Sequence, residues 1–291
     1  MTLETLAPGL RCLRAANPSP LTGTGTNTYL VGTTALAVID PGPTLPAHLE
    51  AILAALGPGQ QVSHILVTHA HKDHSALAPT LAARTGAVVL AFGTAIEGRS
   101  QLMQRLADRL PTSGEGLDLG FRPDRRLADG DTVSGPDWTL TAIHTPGHLG
   151  GHLCFGLGRL LFSGDQVMGW SSSLISPPDG DMGAYMASLV RLLAGGWHRL
   201  MPGHGAPISD PDARIRDLIR HRRAREAQIV AVLDHGPARL TPLTAAVYHD
   251  IAPALLPAAE RNALAHLIDL VSRNLVTASP TLTPDAVFAK A

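Results

Sequence analysis

The chain has 291 residues, of which 45% are hydrophobic and 16% are charged, with a formal net charge of -1. This length suits one large domain or one domain with a small appendage, and this composition can bury a substantial core. A net charge near zero gives no global field that would attract nucleic acid or an anionic membrane. The sequence contains no apolar run long enough for a transmembrane helix, so we expect no membrane contact.

Cysteine usage and the first residues bear on the cellular compartment. The two cysteines, Cys12 and Cys154, are too few for a disulfide framework, which is typical of a reducing compartment. The N-terminal residues include the acidic Glu4 and no apolar segment of the kind found in signal peptides. We therefore expect a cytoplasmic protein.

Apolar runs rich in Val, Ile, Leu and Thr, bounded by Gly, Pro, Asp or Asn, predict β-strands. In chain order these runs cover residues 28–32, 35–40, 64–68, 87–92, 138–145, 152–157, 159–165 and 199–204. Helical stretches are predicted over residues 47–56, 74–86 and 182–196. Mixed strands and helices over about 200 residues predict a layered α/β domain.

The pattern changes after residue 208, and residues 210–278 are almost entirely helical in periodicity. We place a domain boundary near Ser209, so that residues 1–208 form the α/β domain and residues 209–291 form a small, mostly helical C-terminal domain. Residues 94–130 have weak periodicity and many Gly, Pro and Arg residues. They are interpreted as a surface excursion at the rim of an active site.

Residues 68–74 read THAHKDH and place His69, His71, Asp73 and His74 directly after a predicted strand. His69 and His71 are two residues apart and share a face of an extended chain. Imidazole and carboxylate ligands together suit zinc or another first-row metal ion. The segment therefore predicts a metal site.

Further candidate ligands follow the ends of later predicted strands, where side chains of a layered α/β protein gather at one edge of the sheet. These candidates are His144, His148 and His152 in HTPGHLGGH, Asp165 in LFSGD, and His204 in LMPGHG.

The segments HAHKDH, TPGH, FSGD and PGHG, with AVIDPG at 37–42, resemble the metallo-β-lactamase superfamily in order and spacing over residues 20–208. The resemblance implies a four-layer αββα sandwich that holds two metal ions in a cleft at its edge. Zinc is the expected metal, two ions per chain, with iron or manganese as alternatives. It also implies a binuclear metal-dependent hydrolase, in which a metal-bridging hydroxide attacks an electrophilic carbon or phosphorus.

The resemblance further implies a role for each candidate. The ligands of one ion are His69, His71 and His148; those of the other are Asp73, His74 and His204; and Asp165 bridges both. Asp73 and Asp165 are the implied catalytic carboxylates, with Asp73 also able to shuttle a proton.

Three further residues are expected to support the ligands without binding metal. Asp40 resembles the family's buried aspartate that braces the metal loop through hydrogen bonds, while His144 and His152 are expected to pack behind the ligands.

Two further segments narrow the resemblance to one branch of the superfamily. Residues 17–32 and the C-terminal helical region resemble the branch that contains β-lactamase-like protein 2, which carries a winged-helix-like domain and whose mitochondrial member is a single-strand endoribonuclease. Aspartate, not cysteine, stands at position 165, which argues against antibiotic hydrolysis as the main role.

The substrate is less strongly indicated than the site. Hydrolysis of a small ester or thioester is the favoured function, cleavage of RNA is the alternative, and iron-dependent redox chemistry on the same fold is a third. The arginines of residues 214–225 fit either a solvated helix face, which is favoured, or an RNA grip. Trp170 and Tyr185 are equally consistent with substrate contact or packing, and the oligomeric state stays open.

Overall fold

The computed structural model describes residues 3–110 and 116–291. Its strands, in chain order, are β1 (Leu3–Ala7), β2 (Leu10–Arg14), β3 (Asn27–Val31), β4 (Ala35–Ile39), β5 (Gln61–Leu66), β6 (Val88–Ala91), β7 (Arg125–Arg126), β8 (Thr132–Ser134), β9 (Thr139–His144), β10 (Leu153–Leu157), β11 (Leu160–Gly164), β12 (Arg199–Pro202), β13 (Ala238–Arg239), β14 (Val276–Ser279) and β15 (Val287–Lys290). Its helices are α1 (Pro46–Ala54), α2 (Lys72–Ser75), α3 (Ala78–Thr85), α4 (Gln101–Leu106), α5 (Met182–Leu193), α6 (Pro211–Asp234), α7 (Leu240–Val247) and α8 (Leu256–Ser272), with a 3-10 turn at Pro253–Leu255.

Two sheets form the larger part of the molecule. The first has the order β1-β2-β3-β4-β5-β6-β7, and the second has the order β12-β11-β10-β9-β8. Strands β4 to β7 run parallel to one another, as do β11 and β12. Parallel strands end at a common edge, so the segments that follow β5 and β11 emerge where side chains from both sheets can meet.

Alternation along β4 shows how the layers form. Leu36 and Val38 point to a cluster with α1 and α3, whereas Ala37 and Ile39 point to a cluster between the two sheets. A third cluster packs α5 and the first half of α6 against the outer face of the second sheet. The expected four-layer αββα sandwich is therefore confirmed.

The C-terminal region combines α7, α8 and a small sheet of order β13-β15-β14. The sequence pattern predicted its helices but not these short strands. Helix α6 packs against both parts of the molecule, because Ile215 lies in the sandwich cluster and Ile229 lies in the C-terminal cluster. Helix α4 also contributes Met103 and Leu106 to the C-terminal cluster. A boundary between residues 208 and 209 stays a prediction.

Two segment predictions differ in detail from the structure. Residues 74–86, predicted as one helix, form α2 and α3 with a break before Ala78, because Pro79 cannot donate the hydrogen bond that would continue the first helix. The predicted excursion at 94–130 contains α4 and the buried Leu117 and Phe121, while residues 111–115 lie outside the described residues.

Among residues 3–110 and 116–291, no helix combines the length and the apolar character that crossing a bilayer requires.

Asn27 joins the N-terminal strands to the turn that carries His204. Its side-chain Nδ2 donates to the carbonyl oxygens of Pro202 (3.0 Å) and Gly205 (2.8 Å), and its backbone N–H donates to the carbonyl of Gly203 (2.7 Å). The residue is 1% exposed, so water cannot replace these bonds. Asn27 thus caps backbone groups of the turn that carries His204.

Replacing Asn27 by Ala should lower the free energy of unfolding by about 1–3 kcal/mol, because the buried Pro202 carbonyl and the partly buried Gly205 carbonyl both lose a side-chain donor. Urea unfolding followed by circular dichroism measures this change. The exposed Gln101→Ala is the matched control and should leave the midpoint almost unchanged. Equal midpoints for Asn27→Ala and the parent protein would contradict this account.

Candidate metal centre and substrate cleft

The segment after β5 brings four candidate ligands to the edge of the sandwich. The backbone leaves the sheet at Val67, and α2 starts at Lys72. His69 is 2% exposed and His74 is fully buried, whereas the side chain of Asp73 is 25% exposed and reaches the cleft. The change from strand to helix within five residues turns these side chains toward one point.

Asp40 braces this segment from behind. One of its carboxylate oxygens, Oδ1, accepts the backbone N–H of Thr68 at 2.7 Å. Its Oδ2 accepts the Thr68 hydroxyl at 2.7 Å and His74 Nδ1–H at 2.9 Å. Asp40 is 2% exposed and has a positive φ of 50°, a conformation that aspartate tolerates better than most residues. The contacts expected of Asp40 are thus present.

His69, His71 and His148 form a first cluster. Hydrogen bonds fix where the ring protons of His69 and His148 lie. The Thr68 hydroxyl gives its only proton to Asp40, so its 3.0 Å contact with His69 must be donated by His69 Nδ1–H. His148 donates its Nδ1–H to the carbonyl of Leu174 at 2.7 Å. The Nε2 atoms of His69 and His148 therefore carry lone pairs.

These lone pairs converge on His71. His71 Nδ1 lies 3.0 Å from His69 Nε2 and 3.1 Å from His148 Nε2. Burial lowers the pKa of His69 well below its ordinary value and that of His71 to about 3, so both rings are neutral near pH 7. One proton on His71 could satisfy only one of the two contacts, whereas a cation satisfies all three nitrogens. Ligand nitrogens around tetrahedral zinc lie about 3.3 Å apart.

Asp73, His74 and His204 form a second cluster. Asp73 Oδ2 lies 3.5 Å from His74 Nε2 and 3.3 Å from His204 Nε2. The Nδ1 of His204 faces the carbonyl of Gly25 at 3.2 Å, so its Nε2 also points into the cluster. Although burial opposes it, the Asp165 carboxylate raises the pKa of His204 to about 9. Protons and metal ions compete for such a nitrogen.

Asp165 lies between the two clusters. Its Oδ2 is 3.4 Å from His204 Nε2 and 3.7 Å from His148 Nε2, and its Oδ1 is 3.5 Å from His74 Nε2. Both Asp165 Oδ1 and His74 Nε2 are buried without a hydrogen-bond partner. Buried polar atoms left in this way indicate a missing partner, and nitrogen and oxygen donors of this kind fit a divalent metal ion.

The structure therefore brings together all seven candidate ligands, which fall into groups whose ligand atoms lie within 4.8 Å of one another. His152 lies behind His69, with ring centroids 5.1 Å apart, and its Nδ1 contacts the Thr145 hydroxyl. His144 is farther from the clusters, stacks on Phe92 at 4.4 Å and contacts the Gly150 carbonyl through Nε2.

The clusters open into a mostly apolar cleft of about 530 Å³. One wall comes from residues 19–22, a second from the loop after Asp165, and a third from α6 and the segments beyond it. Trp170, 47% exposed, lines this cleft, whereas Tyr185 is fully buried and packs in the core. Of the two, Trp170 is thus placed to contact a substrate, whereas Tyr185 is a packing residue.

Three of the six arginines of α6 bond to backbone carbonyls of neighbouring segments. Arg214 donates to the carbonyls of Met168 (2.7 Å) and Ser171 (2.6 Å). Arg222 is 2% exposed and bonds to the segment after Asp165. Arg225 donates to the Val247 carbonyl at 2.7 Å and lies over the Tyr248 ring. These arginines are neither a uniformly solvated face nor a free set of phosphate ligands.

Sequence reasoning missed several groups that shape the site. The carbonyls of Gly25 and Leu174 leave no sequence signal, because every residue has a carbonyl. Thr68 was treated only as a strand end. Arg222 offered a usable signal, since it follows Ile215 and Leu218 at helical spacing and so falls on the apolar face of α6.

Comparison with known proteins agrees with this architecture. Residues 21–204 match the model of the Metallo-beta-lactamase superfamily, and residues 241–281 match that of the Beta-lactamase associated winged helix domain. The curated Lactamase-like protein adaB of Aspergillus niger is 32% identical over 243 residues, which are 82% of this chain and 68% of that protein. Lactamase-like protein aptB of Emericella nidulans is 32% identical over 226 residues, which are 76% of this chain and 64% of that protein.

A solved structure extends the agreement to three dimensions. The crystal structure of a beta-lactamase domain protein from Burkholderia ambifaria superposes with a TM-score of 0.82 at 22% identity, covering 99% of this chain and 93% of that one. This likeness shows a shared fold, and the matches to the family models and to the curated relatives show the family. The chain is therefore a metallo-hydrolase that belongs to the metallo-beta-lactamase superfamily and carries a beta-lactamase associated winged helix domain.

Proposed function

We propose that this protein is a binuclear zinc hydrolase that cleaves a small ester or thioester. The observation that carries the proposal is the pair of ligand clusters joined by Asp165 at the base of a mostly apolar cleft of about 530 Å³. Cavities of this size hold small organic molecules. The proposal assigns His69, His71 and His148 to one ion and Asp73, His74 and His204 to the other, with Asp165 shared.

When bound, the divalent ions would supply Lewis acidity and a water that deprotonates near neutral pH. The chain's own groups prepare this chemistry. The Nδ1 hydrogen bonds of His69, His74 and His148 direct their Nε2 lone pairs inward without further rearrangement. Asp73 is the ligand carboxylate more open to the cleft, so it is placed to hold or pass a proton at the reacting group.

Covalent catalysis by a cysteine is not supported. Cys12 and Cys154 are buried, and burial raises the pKa of both thiols to about 12. A thiol, unlike a thiolate, is a poor nucleophile. Attack by water is therefore the better-supported route.

The cleft walls favour an acyl substrate over RNA, which is the alternative. Single-stranded nucleic acid is normally held by stacked aromatic rings along a basic groove. Among the described residues, the cleft is lined by two aromatic side chains, Trp170 and Tyr248, and Arg225 is engaged with the Val247 carbonyl. Lys72, His221 and Arg225 line the cleft, and its described carboxylates are Asp73 and Asp165, so neutral or anionic acyl groups fit best.

The purified protein should contain two zinc ions per chain and hydrolyse members of an ester and thioester panel. Asp73→Asn should lower kcat by about 10²–10⁴-fold, because the variant loses a proton-accepting carboxylate. Metal analysis, an absorption spectrum and parallel assays with acyl thioesters and single-stranded RNA provide the measurements. RNA cleavage that Asp73→Asn abolishes, without acyl hydrolysis, would support the alternative, and a coloured iron protein would point to redox chemistry.

Asp40→Asn should weaken zinc binding by about 10–100-fold, because an amide nitrogen only donates and so cannot accept the bonds from Thr68 and His74 that the replaced oxygen accepts. Asparagine tolerates positive φ as aspartate does, so backbone strain is unchanged. Competition with a chromophoric chelator measures the affinity. The exposed Asp137→Asn is the matched control, and equal zinc affinity for Asp40→Asn and the parent protein would contradict the bracing role.

A further inference from the structure

The segment Ser173–Ile175 lies directly behind the candidate metal centre. The Ser173 hydroxyl donates to the backbone carbonyl of Asp165. The Leu174 carbonyl accepts His148 Nδ1–H at 2.7 Å. This short segment is called the 173–175 segment below. It contacts the backbone carbonyl of Asp165 and the Nδ1 atom of His148.

Two side chains from the C-terminal helices hold the other side of the 173–175 segment. Arg222 of α6 donates from Nη2 to the Ser173 carbonyl and from Nη1 to Asn262 Oδ1 at 3.1 Å. Asn262 of α8 also accepts the backbone N–H of Ile175 at 3.1 Å. Asn262 Nδ2 donates to the Ala258 carbonyl at 3.1 Å, which fixes the orientation of the amide.

The environment of Arg222 is unusual for a stabilising arginine. Its side chain is 2% exposed and lies over the Tyr185 ring at 5.3 Å. Within the described part of the chain, the guanidinium of Arg222 bonds to neutral oxygens of Ser173 and Asn262 and takes part in no ion pair, and its Nε has no hydrogen-bond partner. Burying an unpaired cation costs free energy, so a contribution to stability does not explain the residue well.

We propose that Arg222 and Asn262 are positioning residues for the metal centre. Together they set the place of the Ser173 and Leu174 oxygens, and through these oxygens the orientation of the His148 ring and the backbone of Asp165. The C-terminal helices are thereby part of the metal site, although none of the proposed ligands lies on them. This inference rests on the proposed binuclear centre.

The arrangement predicts which ion is affected. The His148 ring depends on the 173–175 segment directly, whereas Asp73, His74 and His204 are held by other groups. Groups that orient a metal ligand typically change metal affinity by 10–100-fold, and Arg222 acts one hydrogen bond farther away. We therefore expect an effect near the lower end of this range for the ion at His69, His71 and His148, and a smaller effect on the other ion, which the 173–175 segment reaches only through Asp165.

The test measures metal binding without any substrate. Arg222→Met removes the donors at similar length, and Asn262→Leu removes the shared acceptor. Each should weaken one of the two zinc sites by about 10-fold and change the visible absorption of the cobalt-substituted protein. Asn262→Asp loses the donor to Ala258 but keeps an acceptor for Arg222 and Ile175, so both properties should stay closer to those of the parent protein than in Asn262→Leu. The neighbouring, exposed Arg223→Met is the matched control and should match the parent protein.

The possible results are distinct. Variants that lose stability toward urea in the metal-free state but keep zinc affinity and the cobalt spectrum would overturn the positioning role and leave a purely structural one. If Arg222→Met does not fold, Arg222→Lys replaces it, since lysine lacks the fork needed to reach Ser173 and Asn262 together. Unchanged zinc affinity in Arg222→Lys would also overturn the inference. A parent protein that binds no divalent ion would instead refute the proposed function.

Discussion

The candidate centre depends on one constraint, which is the direction in which its histidines place their ring protons. His69, His74 and His148 each donate Nδ1–H to an oxygen on the outer side of the site, so their Nε2 lone pairs face inward. Without a metal ion or a proton among them, these converging lone pairs would repel one another at a site that is shielded from solvent except on the side of the cleft. The outer oxygens therefore decide whether the cluster is a metal site or a set of histidines bonded to one another.

Those oxygens come from parts of the chain that only the complete fold brings together. Asp40 follows β4 and Leu174 follows β11, and the Gly25 carbonyl, which faces His204 in the same way, precedes β3; each reaches the same edge of the sandwich. The parallel strands β4 and β5 place Asp40 beside Thr68. Both sheets must form before the proton pattern exists, so metal affinity and folding should be coupled.

The sequence could predict those features of the fold and the site that depend on side-chain type and spacing, but not those that depend on backbone groups. The ligands were predictable because His and Asp are rare enough that a cluster at strand ends stands out, and the long strands were predictable from apolar runs. The carbonyls of Gly25 and Leu174 carry no residue signature. The strands β13 to β15 are two to four residues long and partly exposed, so no hydrophobic period marks them. Arg222 looked like a surface charge until its helix face was known.

The residues proposed to bind the metal ions and the residues that line the cleft lie mostly in different segments. The proposed ligands lie in segments at the ends of sandwich strands, whereas the cleft walls come from residues 19–22, the loop after Asp165 and the C-terminal elements. Wall residues such as Leu21 and Ile251 can therefore change the substrate without touching the metals, as expected of a fold that hosts many activities. The exception is the 173–175 segment, where the wall and a ligand's acceptor coincide. A substitution that shifts the backbone there should alter selectivity and metal affinity together, because Leu174 lines the cleft and its carbonyl accepts His148 Nδ1–H.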